Sequence, residues 1–304
     1  MFGAEKLVRI TERLRACLCI NERTQLALET TSSMLTEASL TRLWQAGFTR
    51  LHVGVQSLQD PVLRKIRAAA DAGWVVSTDI IIGLPGYGAA EILQDIDRMV
   101  DAGAQGFSVY ELVYSPRNHA FFEKLGLLDQ PVVEKFSLFQ LAFLYLEDLG
   151  FRKNLYNHLS KQDDDNRYFT GPARNEDLLG LGTIADGFFG DYHYRHAELE
   201  AYSLQVAAGL PGLAGGIRRS RVQREYRKLE VEIRSGRPDP LVFIQVLGTA
   251  NALSLFSYWI GRGFIQTMDH DEYCELTPGG AWFVGEMLSE CMRTVADFFQ
   301  APDI

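Results

Sequence analysis

Residues 75–86 read VVSTDIIIGLPG. Eight residues rich in β-branched side chains, closed by a Gly-Leu-Pro-Gly turn, predict a strand that stops at Gly83. Outward from it the chain alternates two periods. Toward the N-terminus, Gln25–Thr30 reads as a strand and Thr36–Ala46 as an amphipathic helix stopped by Gly47. Arg50–Val55 is a second strand, followed by a helix from Pro61 to Ala72 that ends at Gly73. Toward the C-terminus, Gly88–Ala102 is helical before Gly103, and Gly106–Leu112 is a strand. Val132–Leu149 is a helix closed by Gly150, and Phe151–Tyr156 reads as one more strand. A glycine just past a helix supplies the left-handed cap without a Cβ penalty. Strand–helix alternation with short connections predicts an α/β fold: parallel strands covered by helices, as a barrel or an open sheet.

In such folds ligands sit beyond the carboxyl ends of the strands. The residues there are unusual for strand ends: Glu29 in the first, Gln56 and Ser57 after the second, Gly83–Gly86 after the third. Asp79 lies inside the third strand among Val76, Ile80, Ile81 and Ile82. A parallel strand is normally buried on both faces, so a carboxylate there needs a partner. One reading makes Asp79 a structural residue bonded to backbone. The other places Glu29, Gln56 and Asp79 in one cleft that binds a polar small molecule.

The whole chain bounds the function. Its 304 residues carry 30 Lys and Arg against 39 Asp and Glu, a formal net charge of −9. That opposes nucleic-acid binding, which needs a clustered basic surface. The N-terminal MFGAEKLVRITERLR is charged and helical in period, with no apolar h-region, so the reading is cytoplasmic. Leu241–Gly261 holds no charged residue, but its Gln245, Thr249, Asn251, Ser254 and Ser257 favour a helix packed inside a domain over a membrane span. Cys17, Cys19, Cys274 and Cys291 are expected as free thiols, and the C-x-C pair as small buried side chains. His193, His196 and Asp191 in GDYHYRH have metal ligation as an alternative to structural contacts, and no metal site is assigned. Arg218, Arg219, Arg221, Arg224, Arg227 and Lys228 alternate with Glu225 and Glu230, which reads as a solvated helix face. The aspartates at 163–165 look like a loop. No phosphate-binding loop or dinucleotide fingerprint is present.

Three segments of the first half are similar to one family: LALETTSSMLTEASLTRLWQAGFTRLHVGVQSLQDPVLRKI (26–66), STDIIIGLPG (77–86) and SVYELVYSP (108–116). They resemble the radical S-adenosylmethionine (SAM) family of oxygen-independent coproporphyrinogen III oxidases and related heme chaperones. The likeness continues through NLYNHLSK (154–161) and EDLLGLGTIADGFFGDYHYRH (176–196), where it leans toward the methyltransferase-like and heme-utilisation branches. It ends in GFIQTMDHDEYCELTPGGAWFVGEML (263–288), similar to that family's small winged-helix-like domain. The resemblance implies a partial (β/α) barrel over residues 1–160 and a linker and substrate-side segment over 161–215. A small, mostly helical winged-helix-like domain follows over 216–304. It implies that Glu29, Gln56, Asp79 and Gly83 bind SAM. Tyr110, Tyr156, Asn157, His158 and Gly182 would border the substrate, a small aromatic, heterocyclic or tetrapyrrole molecule.

Two departures qualify that picture. The family's C-x-x-x-C-x-x-C motif, whose thiolates hold a 4Fe-4S cluster, has no counterpart in this chain, and Cys17 and Cys19 cannot stand in for three converging ligands. The arginine that pairs with the SAM carboxylate is also missing after LRKI, leaving Arg64 or Arg67 as substitutes. With the cluster segment supplied, the resemblance implies radical chemistry that ends in methyl transfer or a tetrapyrrole-related step. The alternative is a cluster-less, non-catalytic SAM- or heme-binding protein, or a degenerate remnant.

Overall fold

A computed structural model describes residues 3–21, 24–55, 58–124, 126, 130–161, 164–173, 176–267 and 274–300. The chain divides into two compact units, residues 1–166 and 167–304.

Unit 1 opens with helix α1 (Ala4–Cys17) and then alternates as the sequence predicts. Its elements are β1 (Leu26–Thr31), α2 (Glu37–Gln45), β2 (Phe48–Gly54), α3 (Asp60–Asp71), β3 (Val75–Ile82), α4 (Ala89–Asp101) and β4 (Gly106–Glu111). Then come α5 (Pro116–Lys124), α6 (Val132–Asp148), β5 (Arg152–Leu155) and β6 (His158–Ser160). Local chemistry sets the boundaries. Thr36 and Ser39 close a reciprocal capping box on α2, and Pro61 sits in the first turn of α3. Past α4, Gly103 holds φ +94°, and a Cβ there would collide with the Ala70 methyl, so glycine is required twice over.

The sheet order is β1-β2-β3-β4-β6-β5, with β1 to β4 parallel. The far edge departs from the sequence reading. The strand expected over residues 151–156 is present as β5 but does not lie beside β4: Tyr156-Asn157 reverses the chain, and β6 inserts between them, antiparallel to both β4 and β5. Two residues suffice for a hairpin, whereas a parallel connection needs a dozen or more. One face of the sheet carries Leu51, Val53, Val76, Ile82, Phe107, Val109 and Leu159, all buried. Helix residues such as Leu40, Leu43, Ile66, Ile92, Ile96, Phe143 and Leu146 complete this core.

Unit 2 contains α7 (Arg167–Ala173), strands β7 (Asp186–Phe189) and β8 (Tyr192–His196), α8 (Leu199–Ala207) and β9 (Leu213–Arg218). The three strands form an antiparallel sheet. Next come α9 (Arg221–Arg234), α10 (Pro240–Gly261), the hairpin β10 (Ile265–Thr267) with β11 (Cys274–Leu276), α11 (Pro278–Trp282) and α12 (Val284–Gln300). Phe243, Phe256 and Trp259 meet ring to ring at 5.0–5.7 Å at the centre of this small, mostly helical, winged-helix-like part. The basic face of α9 is paired: Arg227 and Arg234 with Glu230, Lys228 with Glu225.

Among the described residues α10 is the one helix long and apolar enough to cross a membrane by length and composition. Gly248, at φ 73° and ψ 160°, leaves helical geometry inside it. The two helical pieces are about 12 and 20 Å long at 1.5 Å per residue, each short of the ~30 Å hydrocarbon layer.

The cysteines split. Cys274 and Cys291 are buried, as small apolar side chains should be, but Cys17 and Cys19 are exposed at the end of α1, against expectation. The helix ends at Cys17 and the chain leaves it before any element covers the pair. Burial pushes the Cys274 thiol up and the Cys291 thiol up to about 12. A maleimide applied to the native chain should therefore modify Cys17 and Cys19 and spare the other two until denaturant is added. Labelling of Cys291 in the folded chain, read by peptide mass, would contradict this.

Candidate functional site

The second face of the unit 1 sheet is polar. Strand alternation puts Arg50 and His52 of β2 on the side opposite Leu51 and Val53. In register, Glu29 lies beside His52, and His52 beside Ser77. Asp79 lies beside Ser108, and Ser108 beside His158. Pairing across five strands thus collects residues far apart in sequence into one polar surface.

That surface has a buried layer. Arg50 donates to Asp164 through Nε at 2.6 Å and Nη2 at 3.2 Å, with both side chains at most 2% exposed. His158, also buried, donates from Nδ1 to Asn154 Oδ1 at 2.6 Å and accepts from Ser77 Oγ at Nε2, at 3.0 Å. Ser160 Oγ and Asn154 Nδ2 both donate to the Asp164 carbonyl. Gly106 sits under this cluster with no space for a Cβ between the Asp164 carboxylate, Ser77 Oγ and the His158 ring. Burial drives the His158 imidazole down to about 4, outweighing the opposite pull of Asp164 3.5 Å away. The resemblance implies a substrate-side place for His158; with both ring nitrogens engaged and 1% exposure, it belongs instead to this supporting layer.

Nearer the carboxyl ends the surface opens. Glu29 and Asp79 line one cleft of about 700 Å³ together with Thr30, Thr31, Met34 and Gly54. A narrower cavity of about 330 Å³ shares Gly54 and Asp79 and is otherwise mainly apolar, with Val55, Leu58, Ile81, Leu84 and Tyr87 on its walls. Asp79 is a quarter exposed and takes a hydrogen bond on Oδ1 from His52 Nε2 at 2.8 Å. Tyr110 is 38% exposed, and its phenol feels the side chains of Ser108 and Asn157 and the charges of Asp79 and Tyr156. Burial pushes its phenol up. Tyr110, Tyr156 and Asn157 therefore gather near Asp79, while Gly182 lies in unit 2. Gln56 falls outside the described residues.

Gly83, at φ +91°, lies against Lys135, where a Cβ would collide with the lysine stem. Lys135 is itself buried and pairs with Glu111 at 2.7 Å. Gly83 therefore lets the turn rest on an ion pair that the sequence reading did not anticipate. Arg67 donates to the Asp101 carbonyl at the C-terminal end of α4, the end of the crossover remote from the strand tips, so it does not replace a carboxylate clamp. In unit 2, His196 faces the carbonyls of Gly180 and Gly212, His193 stacks on Phe188, and Asp191 lies by Arg218 and Arg224.

Arg50, His52, Asp164 and Lys135 went unread in the sequence. Arg50 and His52 did leave a signal, two basic residues alternating with Leu51 and Val53 inside a strand. Asp164 and Lys135 left none, because their partners are remote in sequence.

The donor sets discriminate between cofactors. Two carboxylates on one cleft with an adjacent apolar cavity fit an adenosyl group, since carboxylate oxygens accept from a ribose diol and the cavity suits a flat ring. The cysteines do not fit a 4Fe-4S cluster: two are exposed in unit 1 and two buried in unit 2, and among the described residues no three ligands converge.

No family model matches the chain. The heme chaperone HemW of Bacillus subtilis is 24% identical over 186 residues, covering 56% of this chain and 49% of that protein. The oxygen-independent coproporphyrinogen III oxidase of Escherichia coli is 24% identical over 229 residues, covering 66% of this chain and 50% of that one. The chain thus spans about half the length of the curated relatives it matches. The solved structure of the Escherichia coli coproporphyrinogen III oxidase HemN, a radical SAM enzyme, superposes with a TM-score of 0.77 at 21% identity, over 96% of this chain and 74% of that one. None of these gives the cluster-less reading support. The chain has the fold of that radical SAM enzyme, and its sequence is similar to the coproporphyrinogen III oxidases and heme chaperones.

Proposed function

We infer that unit 1 supplies the SAM- and substrate-binding face of a coproporphyrinogen-oxidase-like radical SAM protein. Glu29 and Asp79 accept hydrogen bonds from the ribose and methionyl parts of SAM, with Gln56 as the third contact and the Gly83 turn beside it. Tyr110, Tyr156 and Asn157 form the side that meets a small aromatic or heterocyclic molecule of the tetrapyrrole class. The observation that carries this reading is that two acidic side chains from β1 and β3 line one cleft at the carboxyl ends of parallel strands.

SAM supplies a sulfonium-bearing adenosyl group when bound. This chain's own part is to hold and orient it. Asp79, bonded to His52, presents an acceptor in a partly water-excluded site, where a charge-assisted hydrogen bond is stronger than in water. The thiolates for a 4Fe-4S cluster are not among this chain's cysteines, so the proposal is confined to binding and orientation.

Calorimetric titration of SAM into the chain and into Asp79→Ala tests it. The variant should bind about 10-fold more weakly, as expected for losing a hydrogen bond to a charged group. Equal heats would remove Asp79 from the site. A parallel titration with heme separates this reading from a chaperone-like one: heme binding that leaves SAM silent would overturn it.

A further inference from the structure

We propose that His52 is the positioning residue for Asp79 in this site, a role that rests on the SAM-binding reading above. His52 stands on the polar face in register between Glu29 and Ser77. Its side chain is 7% exposed. Nε2 lies 2.8 Å from Asp79 Oδ1, while Nδ1 is buried and takes no hydrogen bond among the described residues. A buried imidazole satisfied on one nitrogen alone costs stability compared with an apolar side chain of similar size. The position gains nothing for the core, which lies on the opposite face with Leu51 and Val53. What the imidazole does is hold a carboxylate. With Oδ1 tied to Nε2–H, the Asp79 carboxylate cannot turn freely about its terminal torsion, which is otherwise broad. Oδ2 takes no hydrogen bond from the described residues and stays available to a ligand hydroxyl at the wall shared by the two cavities. His52 therefore does not touch the ligand; it fixes the group that does.

A residue that acts through Asp79 must fall silent once Asp79 is gone, which a residue with a merely structural role would not do. The test titrates SAM by calorimetry into the 304-residue chain, His52→Ala, His52→Gln, Asp79→Ala and the His52→Ala/Asp79→Ala pair, each shown to be folded by its thermal melt. His52→Ala is expected to weaken binding about 10-fold. His52→Gln, whose amide nitrogen reaches the place of Nε2, should recover to within about 3-fold of the parent, and the double variant should bind no more weakly than Asp79→Ala. Parent-like binding by His52→Ala overturns the proposal, as does a His52 loss that repeats in full without Asp79, or a His52→Gln as weak as the alanine. Absence of heat with the parent chain overturns the SAM reading itself, and the proposal with it.

Discussion

Asp164→Ala is expected to destabilise unit 1 by about 3–5 kcal/mol, the range for stranding one member of a buried ion pair. The loss exceeds that of a surface bridge because Arg50 and Asp164 are 2% and 0% exposed and joined by two hydrogen bonds. With the carboxylate gone, the guanidinium stays under the sheet with no counter-charge, and Asn166 N–H loses an acceptor too. Urea unfolding followed by tryptophan fluorescence, to which Trp44 and Trp74 of unit 1 contribute beside Trp259 and Trp282 of unit 2, reads the change as a lower midpoint of the unit 1 transition at unchanged slope. Substituting both partners with apolar residues, Arg50→Met with Asp164→Leu, should recover much of the loss, because the cost lies in the orphaned charge more than in the missing attraction. A midpoint unmoved by Asp164→Ala would show that water enters and screens the pair.

The second large effect is on pH. An unfolded chain protonates His158 near the ordinary 6.5, whereas burial delays protonation of the folded chain until about 4. Between those values the unfolded state binds the extra proton, so stability rises with pH across the window and falls as the solution is acidified. The contribution is fully present above pH 6.5 and is lost progressively down to about 4. Its full size is roughly 3 kcal/mol, because each tenfold change in proton affinity between the two states is worth about 1.4 kcal/mol. His158→Gln should flatten that slope, and a urea-midpoint series from pH 7 to 4 on both proteins measures it. A parent curve as flat as the variant's would place His158 in contact with water.

Much of unit 1 was legible in the sequence because its signals are local. Glycines 47, 73, 103 and 150 follow helices where expected, and β3 occupies the Val75–Ile82 stretch that reads as a strand. Asp79 was legible as a carboxylate among isoleucines, although its partner His52 was not. What escaped depends on separation. Arg50 and Asp164 are 114 residues apart, and the aspartate sits in an acidic run that reads as loop. The three-residue β6 was too short to announce itself, and its pairing with β4 and β5 shows that His158 and Ser160 lie within the sheet. The exposure of Cys17 and Cys19 follows from where α1 ends, which composition does not reveal.

The two-sided character of β2 bears on how the chain finds its native pairing. Sliding this strand by one residue would thrust Arg50 and His52 among the leucines and phenylalanines beneath and strand Asp164 without its cation. A misaligned sheet would then forfeit its greasy layer and its charge match in one error. The same side chains that furnish a ligand cradle thus act as a proofreading key, admitting a single alignment of the strands during assembly.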